Sequence, residues 1–276
     1  MADTSREVCT GTGASADDED DEDLRILIGP GSSLGGARPK ASVRDRDGHL
    51  ALAKFPDRRD DYGIVVWEGV ALSLALKAGV TVPQWRIEEV AGKRVALIRR
   101  FDRVDGQRIP FLSAMNMLGA RDHEVRSYLE IADALRQHGA AAREDLAQLW
   151  RRVVFNVMIS NTDDHLRNHG FLLHGGNSGW RLAPAYDLNP TPVDVRPRVL
   201  STAIEIDDAT ASLDLALETA QYYGIKASDA RMIAAEVAKA VSDWRAVATR
   251  LNIHSREIDR MASAFVHHDI EKALGQ

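Results

Sequence analysis

Residues 160–190 read SNTDDHLRNHGFLLHGGNSGWRLAPAYDLNP, and they set three oxygen-bearing side chains in order: Asp163, Asn168 five residues later, and Asp187 further on. Between the last two, FLL is apolar, HGGNSG is rich in turn formers, and WRLA resumes an apolar/polar alternation, so the stretch predicts a β-hairpin. A hairpin there returns Asp187 to the side of Asn168.

Working outward, that order matches the phosphoryl-transfer layout of a protein kinase. One Asp accepts the acceptor hydroxyl's proton, an Asn five residues on holds Mg²⁺, and a later Asp holds Mg²⁺ again. Asp163, Asn168 and Asp187 take these places, although the usual HRD and DFG signatures are absent. Upstream, residues 31–40, GSSLGGARPK, combine glycine and serine so that backbone N–H groups can approach phosphates with no Cβ in the way. In ALAKFP, Lys54 sits in an apolar, strand-like run, where its ammonium can pair with nucleotide phosphates. A helix is expected from near Val66, with Glu68 close to its first turn and apolar Val70, Ala71, Leu72, Leu74, Ala75 and Leu76 behind it. Glu68 is then a candidate ion-pair partner of Lys54. Taken singly, a Gly-Ser loop is usually a turn, a strand lysine is usually solvated, and a first-turn glutamate often serves only the helix dipole. The shared order is what points to one site.

Together GSSLGGARPK, ALAKFP, WEGVALSLALKAGVTVP, ALIRRFDR, NTDDHLRNHGF and LAPAYDLNP resemble the HipA family, bacterial serine/threonine kinases that act as toxins in toxin–antitoxin pairs, over about residues 31 to 265. The resemblance implies an α+β, two-lobed protein-kinase-like fold, a requirement for ATP and Mg²⁺, and phosphate transfer to a protein hydroxyl. It also implies an aminoacyl-tRNA synthetase as target, with arrest of translation and growth, and a HipB-like helix-turn-helix antitoxin as partner, with DNA met only through that antitoxin. By motif, Asp163 resembles the family's catalytic base, His165 and Asn168 its nucleotide and metal contacts, and Asp187 its second metal ligand. Lys54 would take the ATP phosphates under a loop that includes Ser33, Gly35, Gly36 and Ala37. Ser33 resembles the glycine-loop serine that this family can autophosphorylate, which makes it a candidate off-switch. Arg100 and Phe101 fall where the inter-lobe hinge meets adenine, largely through backbone groups; Phe101 as plain core is the other reading.

The sequence departs from the family in having only about thirty residues before the glycine loop, where relatives carry a further N-terminal subdomain. The expectation is that this part is absent or supplied by a separate chain. In addition, Arg99 stands where many relatives have Glu in the hinge.

Composition agrees with a two-lobed enzyme. The 276 residues are 45% apolar, and no stretch approaches the run of about 18 apolar residues that spans a membrane. Cys9 is the only cysteine, which excludes a disulfide framework and suits a reducing cytoplasm. The net charge is −6, but DDEDDED at residues 17–23 alone holds seven negative charges, leaving the rest of the chain at +1. Such a run repels itself and builds no core, so residues 1–23 are expected to be a disordered acidic tail. Residues 24–110 alternate in strand fashion around one helix and form the expected small β-rich lobe. Residues 111–276 turn to helical periodicity, with the catalytic segment 160–190 among them, and form the larger, mostly helical lobe. On the helix expected from about Glu144 to Ile159, Trp150, Val154, Phe155, Val157 and Met158 read as its packing face.

Two rival readings remain. Asp163, Asp164, His165, His169 and His174 are all metal-capable, but HLRNH has no Glu between its histidines and no cysteine completes a zinc shell. The other rival is a truncated, inactive kinase-like module that only binds an antitoxin or partner chain. Retention of Lys54, Asp163, Asn168 and Asp187 argues against it, since a scaffold needs none of them.

Overall fold

The structure is a computed structural model that describes residues 38–104, 106–122, 124–175 and 178–275. The acidic run 17–23 and the glycine-loop positions Ser33, Gly35, Gly36 and Ala37 lie outside the described residues.

Four antiparallel strands, β1 (Lys40–Arg44), β2 (Leu50–Lys54), β3 (Trp85–Val90) and β4 (Lys93–Arg99), form a sheet in the order β1-β2-β4-β3. Helix α1 (Ile64–Lys77) is inserted between β2 and β3. The β3–β4 turn places both Ala91 and Gly92 at positive φ, the geometry that matches the twist of a tight hairpin. On one sheet face Ala53, Phe55 and Val95 pack with Ala41, Val43 and Leu97. Elsewhere the sheet meets α1 at Gly69, where a Cβ would come within 2.9 Å of the Trp85 ring. Glycine at that point lets helix and strand approach.

After a two-stranded ribbon, β5 (Arg103–Val104) and β6 (Gln107–Arg108), strand β7 (Phe111–Ser113) leaves the first sheet. It pairs with β8 (Gly170–Leu173), which pairs with β9 (Trp180–Leu182) in the register Phe171↔Leu182 and Leu173↔Trp180. The hairpin read from FLL and WRLA is therefore present. Helices α2 (Ala114–Met117), α3 (Tyr128–His138) and α4 (Ala142–Met158) lie between β7 and β8. Helix α3 opens with a capping box in which the Ser127 N–H donates to Glu130 Oε2 at 2.8 Å. Trp150, Val154, Phe155, Val157 and Met158 of α4 are completely buried, as the packing face requires. The chain finishes with α5 (Leu213–Thr219), α6 (Ala227–Val241), α7 (Trp244–Arg250), α8 (Ser255–Arg260), α9 (Ala262–Phe265) and α10 (His268–Ala273).

Helix α1 is buried on all sides, from Val65 through Ala75 apart from Ser73. A helix that is apolar all round must be covered all round. Its second cover is the C-terminal bundle, where the Trp67 ring lies 6.3 Å from Trp244 and 5.9 Å from Phe265, themselves stacked at 4.7 Å. One continuous core thus runs from α1 through α4 to α10.

Candidate active site

Alternation in β2 turns Ala51 and Ala53 inward, which leaves Lys54, at the strand end, to reach toward α1. Lys54 Nζ donates to both Glu68 oxygens, at 2.6 and 2.8 Å, and to Asp187 Oδ1 at 3.1 Å. The helix begins at Ile64, so Glu68 sits in its second turn rather than the first, and it is buried. Its carboxylate therefore serves Lys54 and not the helix dipole. Burial raises the Glu68 pKa, an effect that the Lys54 charge only partly offsets. For Lys54, burial lowers the pKa, but the charges of Asp187 and Glu68 outweigh it and the net shift is upward. For Asp187, burial raises the pKa, yet Lys54 and a hydrogen bond from Asn189 bring it down to about 2.

Asp187 adopts φ 58°, a left-handed conformation that Asp tolerates better than most residues. In it the Asp187 N–H donates to Glu68 Oε1 at 3.1 Å, while Asn189 Nδ2 donates to Asp187 Oδ1 at 2.9 Å. Backbone and side chain of one residue are thus tied to the pair from the small sheet and α1.

The second half of the site follows α4. The chain leaves that helix through Ser160, at φ 50° and completely buried, whose Oγ donates to Ala264 O at 3.0 Å. It then winds into a compact loop in which His165 N donates to Asp163 O at 3.0 Å and Asn168 N to His165 O at 2.8 Å. Asn168 Nδ2 donates to Asp163 O at 3.2 Å, which leaves its Oδ1 oxygen for another partner. His165 Nδ1 is buried with no hydrogen-bond partner among the described residues. The Asp163 carboxylate is half exposed and pairs with Arg196 Nη1 at 2.8 Å.

Beneath this loop Asp164 is buried, and its Oδ2 accepts from Tyr128 Oη at 2.6 Å and Asn156 Nδ2 at 2.7 Å and lies 2.7 Å from His169 Nε2. Thr202 Oγ1 donates to the Asp164 carbonyl at 2.7 Å. Helices α3 and α4 and the segment at Thr202 thereby hold the loop from behind, around a carboxylate that burial alone would make costly.

Hydrogen bonds join the halves. Tyr186 Oη donates to Arg167 O at 2.6 Å, and Asn189 N donates to Asn161 Oδ1 at 3.3 Å. The segments that carry Asn168 and Asp187 therefore lie side by side. At the hinge, the Phe101 ring lies 5.6 Å from Tyr186 and 6.2 Å from Phe111. The Arg100 N–H donates to Leu50 O at 2.9 Å, and its guanidinium is spent on Asp102, with Nε 2.7 Å from Oδ1. The Arg100 side chain is turned into the fold.

Lys54, Glu68, Asp163, His165, Asn168 and Asp187 are thus drawn into one linked assembly. Sequence reasoning missed Arg196, Asn161, Asn189 and the partners of Asp164. Only Asn156, a polar residue within the apolar run VVFNVM, signalled that something buried there needed a hydrogen bond. Asp163, Asp164, His165, His169 and His174 do not converge as a metal cluster. Among the described residues the group with ligand atoms close enough is Asp45, Asp47 and His49, in the β1–β2 turn. There Asp45 Oδ1 accepts from the backbone of Asp47 and His49, which is ordinary turn chemistry.

A small antiparallel sheet carrying a lysine paired to a helix glutamate, set on a helical body that supplies Asp163, Asn168 and Asp187, defines the protein-kinase-like class of fold. Within that class the chain belongs to the HipA family, whose HipA-like C-terminal domain matches residues 32–245. A Haemophilus influenzae protein, provisionally named a kinase, is 26% identical in an alignment of 223 residues that covers 70% of this chain. The match spans 64% of that relative's length. Among solved structures, HipA of Shewanella oneidensis, from a toxin–antitoxin complex with HipB and operator DNA, superposes with a TM-score of 0.66 at 17% identity, over 92% of this chain and 69% of its own. The proinflammatory kinase CtkA of Helicobacter pylori gives 0.59 at 16% identity, over 86% of this chain and 94% of its own. Both likenesses concern the fold.

Proposed function

We propose that this chain is an ATP- and Mg²⁺-dependent protein serine/threonine kinase acting as the toxin of a toxin–antitoxin pair. The observation that carries the reading is Lys54, bonded at once to Glu68 and to Asp187. That arrangement sets the small lobe's lysine, paired to a helix glutamate, beside the large-lobe carboxylate that would hold metal, which are the parts phosphoryl transfer brings together.

Asp163 orients the acceptor hydroxyl and accepts its proton as the γ-phosphoryl group passes over. Lys54 holds the phosphates, exchanging its contact with Asp187 for one with the nucleotide while Glu68 keeps it in place. The donor set left for a metal, Asn168 Oδ1 and an Asp187 carboxylate oxygen, is oxygen only and suits Mg²⁺, which would neutralise the phosphate charge. Asp187, about one-third exposed, is open to it. His165 Nδ1, buried and unpartnered among the described residues, is a polar atom that a nucleotide can satisfy. By the family resemblance, Phe101 and the Arg100 carbonyl would meet adenine, the Arg100 N–H being given to Leu50 O, and the glycine loop that includes Ser33 to Ala37 would cover the phosphates.

A HipB-like antitoxin is supported by the Shewanella relative, solved together with HipB and operator DNA. An aminoacyl-tRNA synthetase as acceptor, and Ser33 as an autophosphorylation site, rest on the family resemblance. The test is mass spectrometry of the protein and of a cytosolic extract after incubation with Mg–ATP, beside Asp163→Asn. Phosphate on a Ser or Thr that vanishes in the variant is expected. A folded, nucleotide-binding protein that phosphorylates nothing would turn the reading to a binding module.

A further inference from the structure

Asp163, the base in the reading above, already holds a partner on one of its two carboxylate oxygens. A hydroxyl has to come within about 2.6–3.2 Å of that carboxylate to give up its proton. Arg196 Nη1 already stands 2.8 Å from Asp163 Oδ1.

Arg196 comes from the segment that follows Asp187, residues 189–200, which contains no helix or extended strand. Its backbone is nonetheless pinned on both sides. Before it, Thr191 N donates to Ser160 O at 3.2 Å, Val193 N to Ser263 Oγ at 3.1 Å, and Asp194 pairs with Arg260 at 3.1 Å. After it, Arg198 reaches Val157 O at 2.9 Å, Ser160 Oγ at 3.1 Å and Asp269 at 2.7 Å. The Arg196 side chain is the part left to move. Its guanidinium meets Asp163 across a contact in which the two side chains are 55% and 51% exposed. Exposed ion pairs are weak and exchange readily. Beside the pair opens a hollow of 210 Å³ that Asp163, Arg196, Asn189, Thr191, Tyr62 and Arg59 help to line.

We propose that Arg196 is a guard on the base: it keeps Asp163 from activating water while no acceptor is docked, and a docked protein acceptor displaces it. The inference rests on the kinase reading. The suppressed step is hydrolysis of bound ATP. In that step Asp163 would take a proton from water, the water oxygen would bond to the γ-phosphorus, and the bond to the β,γ-bridging oxygen would break. Its electron pair would leave with ADP, inorganic phosphate would form, and the proton would return to solvent. A lone water adds no binding energy that favours the open pair, so its reaction is limited to the fraction of time the pair is open by itself. A protein acceptor gains contacts away from the reacting hydroxyl and can spend them on that displacement. Arg196 is in this sense a residue that selects a protein hydroxyl over water.

The experiment measures phosphate release from Mg–ATP by the full chain with no acceptor present, for the wild type, Arg196→Ala, Arg196→Lys and the double variant Arg196→Ala with Asp163→Asn. Nucleotide affinity is measured for each. Arg196→Ala is expected to bind nucleotide as the wild type does and to release phosphate about threefold to fivefold faster, the most that an exposed ion pair can withhold. Arg196→Lys is expected to give a smaller rise, and the double variant none. If Arg196→Ala binds nucleotide but hydrolyses it no faster than the wild type, the guard is overturned and the kinase reading stands. A rise that survives in the double variant overturns the guard as well, because Arg196 would then act elsewhere than on Asp163. A wild type and Arg196→Ala that both fail to bind Mg–ATP would defeat the kinase reading and the guard with it.

Discussion

Lys54 neutralises two carboxylates that would otherwise face one another. Its own side chain is 13% exposed and that of Glu68 only 3%, so removing the cation leaves a negative charge stranded in the interior. Lys54→Met is expected to lower stability by about 3 kcal/mol, the low end for breaking a buried pair from one side. Urea unfolding checks this, and Lys54→Met with Glu68→Gln should recover much of the loss. The same triad sets an acid dependence. Asp187 is held at about 2 in the folded protein against 3.8 for an unperturbed carboxyl, so the unfolded chain binds more protons in that interval. Its contribution is present above about pH 4 and is lost as pH falls toward 2. Asp187→Asn should flatten the fall of the urea midpoint over that window, and an unchanged slope would show that Asp187 does not titrate as described. At this scale the sequence was legible where order mattered. Lys54, Glu68 and Asp187 are far apart in the chain, but their succession fixes which motif each belongs to. The left-handed turn at Asp187 was not legible, since DLNP contains no glycine to announce it. Nor was Arg196, whose role depends on loop anchors distant in sequence.

Helix α1 is held by another element's side chain. Glu257 Oε1, from α8, accepts from the Gly63 N–H at 2.9 Å and from Trp67 Nε1 at 2.7 Å, satisfying an orphan donor at the start of α1 and a buried indole together. Glu257→Ala is expected to cost about 1–2 kcal/mol, comparable to the loss of a helix cap. Under the proposed kinase function, because Glu68 rides on α1, nucleotide affinity should fall alongside the urea midpoint. A stability loss with unchanged affinity would mean that α1 keeps its place without the contact. Element boundaries were read well where turn chemistry was local, as in the β8–β9 hairpin. The start of α1 was misjudged by two residues because its cap lies on α8, far along the chain.

At the scale of the molecule, the change from alternating to helical periodicity near residue 110 suggests two bodies, whereas the packing joins them through α1. The signal was present in IVVWEGVALSLAL, which is apolar around its whole circumference and needs cover on every side. What periodicity does not show is which distant helices provide that cover. Because one core serves both lobes, unfolding is expected to be a single transition. Trp85 reports from the small lobe, Trp67 from the junction, and Trp150, Trp180 and Trp244 from the large lobe, so fluorescence should coincide with far-ultraviolet circular dichroism in urea. Two separated midpoints would show that the lobes come apart independently. The Trp67–Trp244–Phe265 cluster also bears on pharmacology. An inhibitor that gains its affinity by prising the glutamate-bearing helix away from the proposed nucleotide cleft would first have to unpack those rings. Compounds against this protein are better sought among scaffolds that accept the lysine–glutamate pair as they find it, and selectivity among those that engage Arg196.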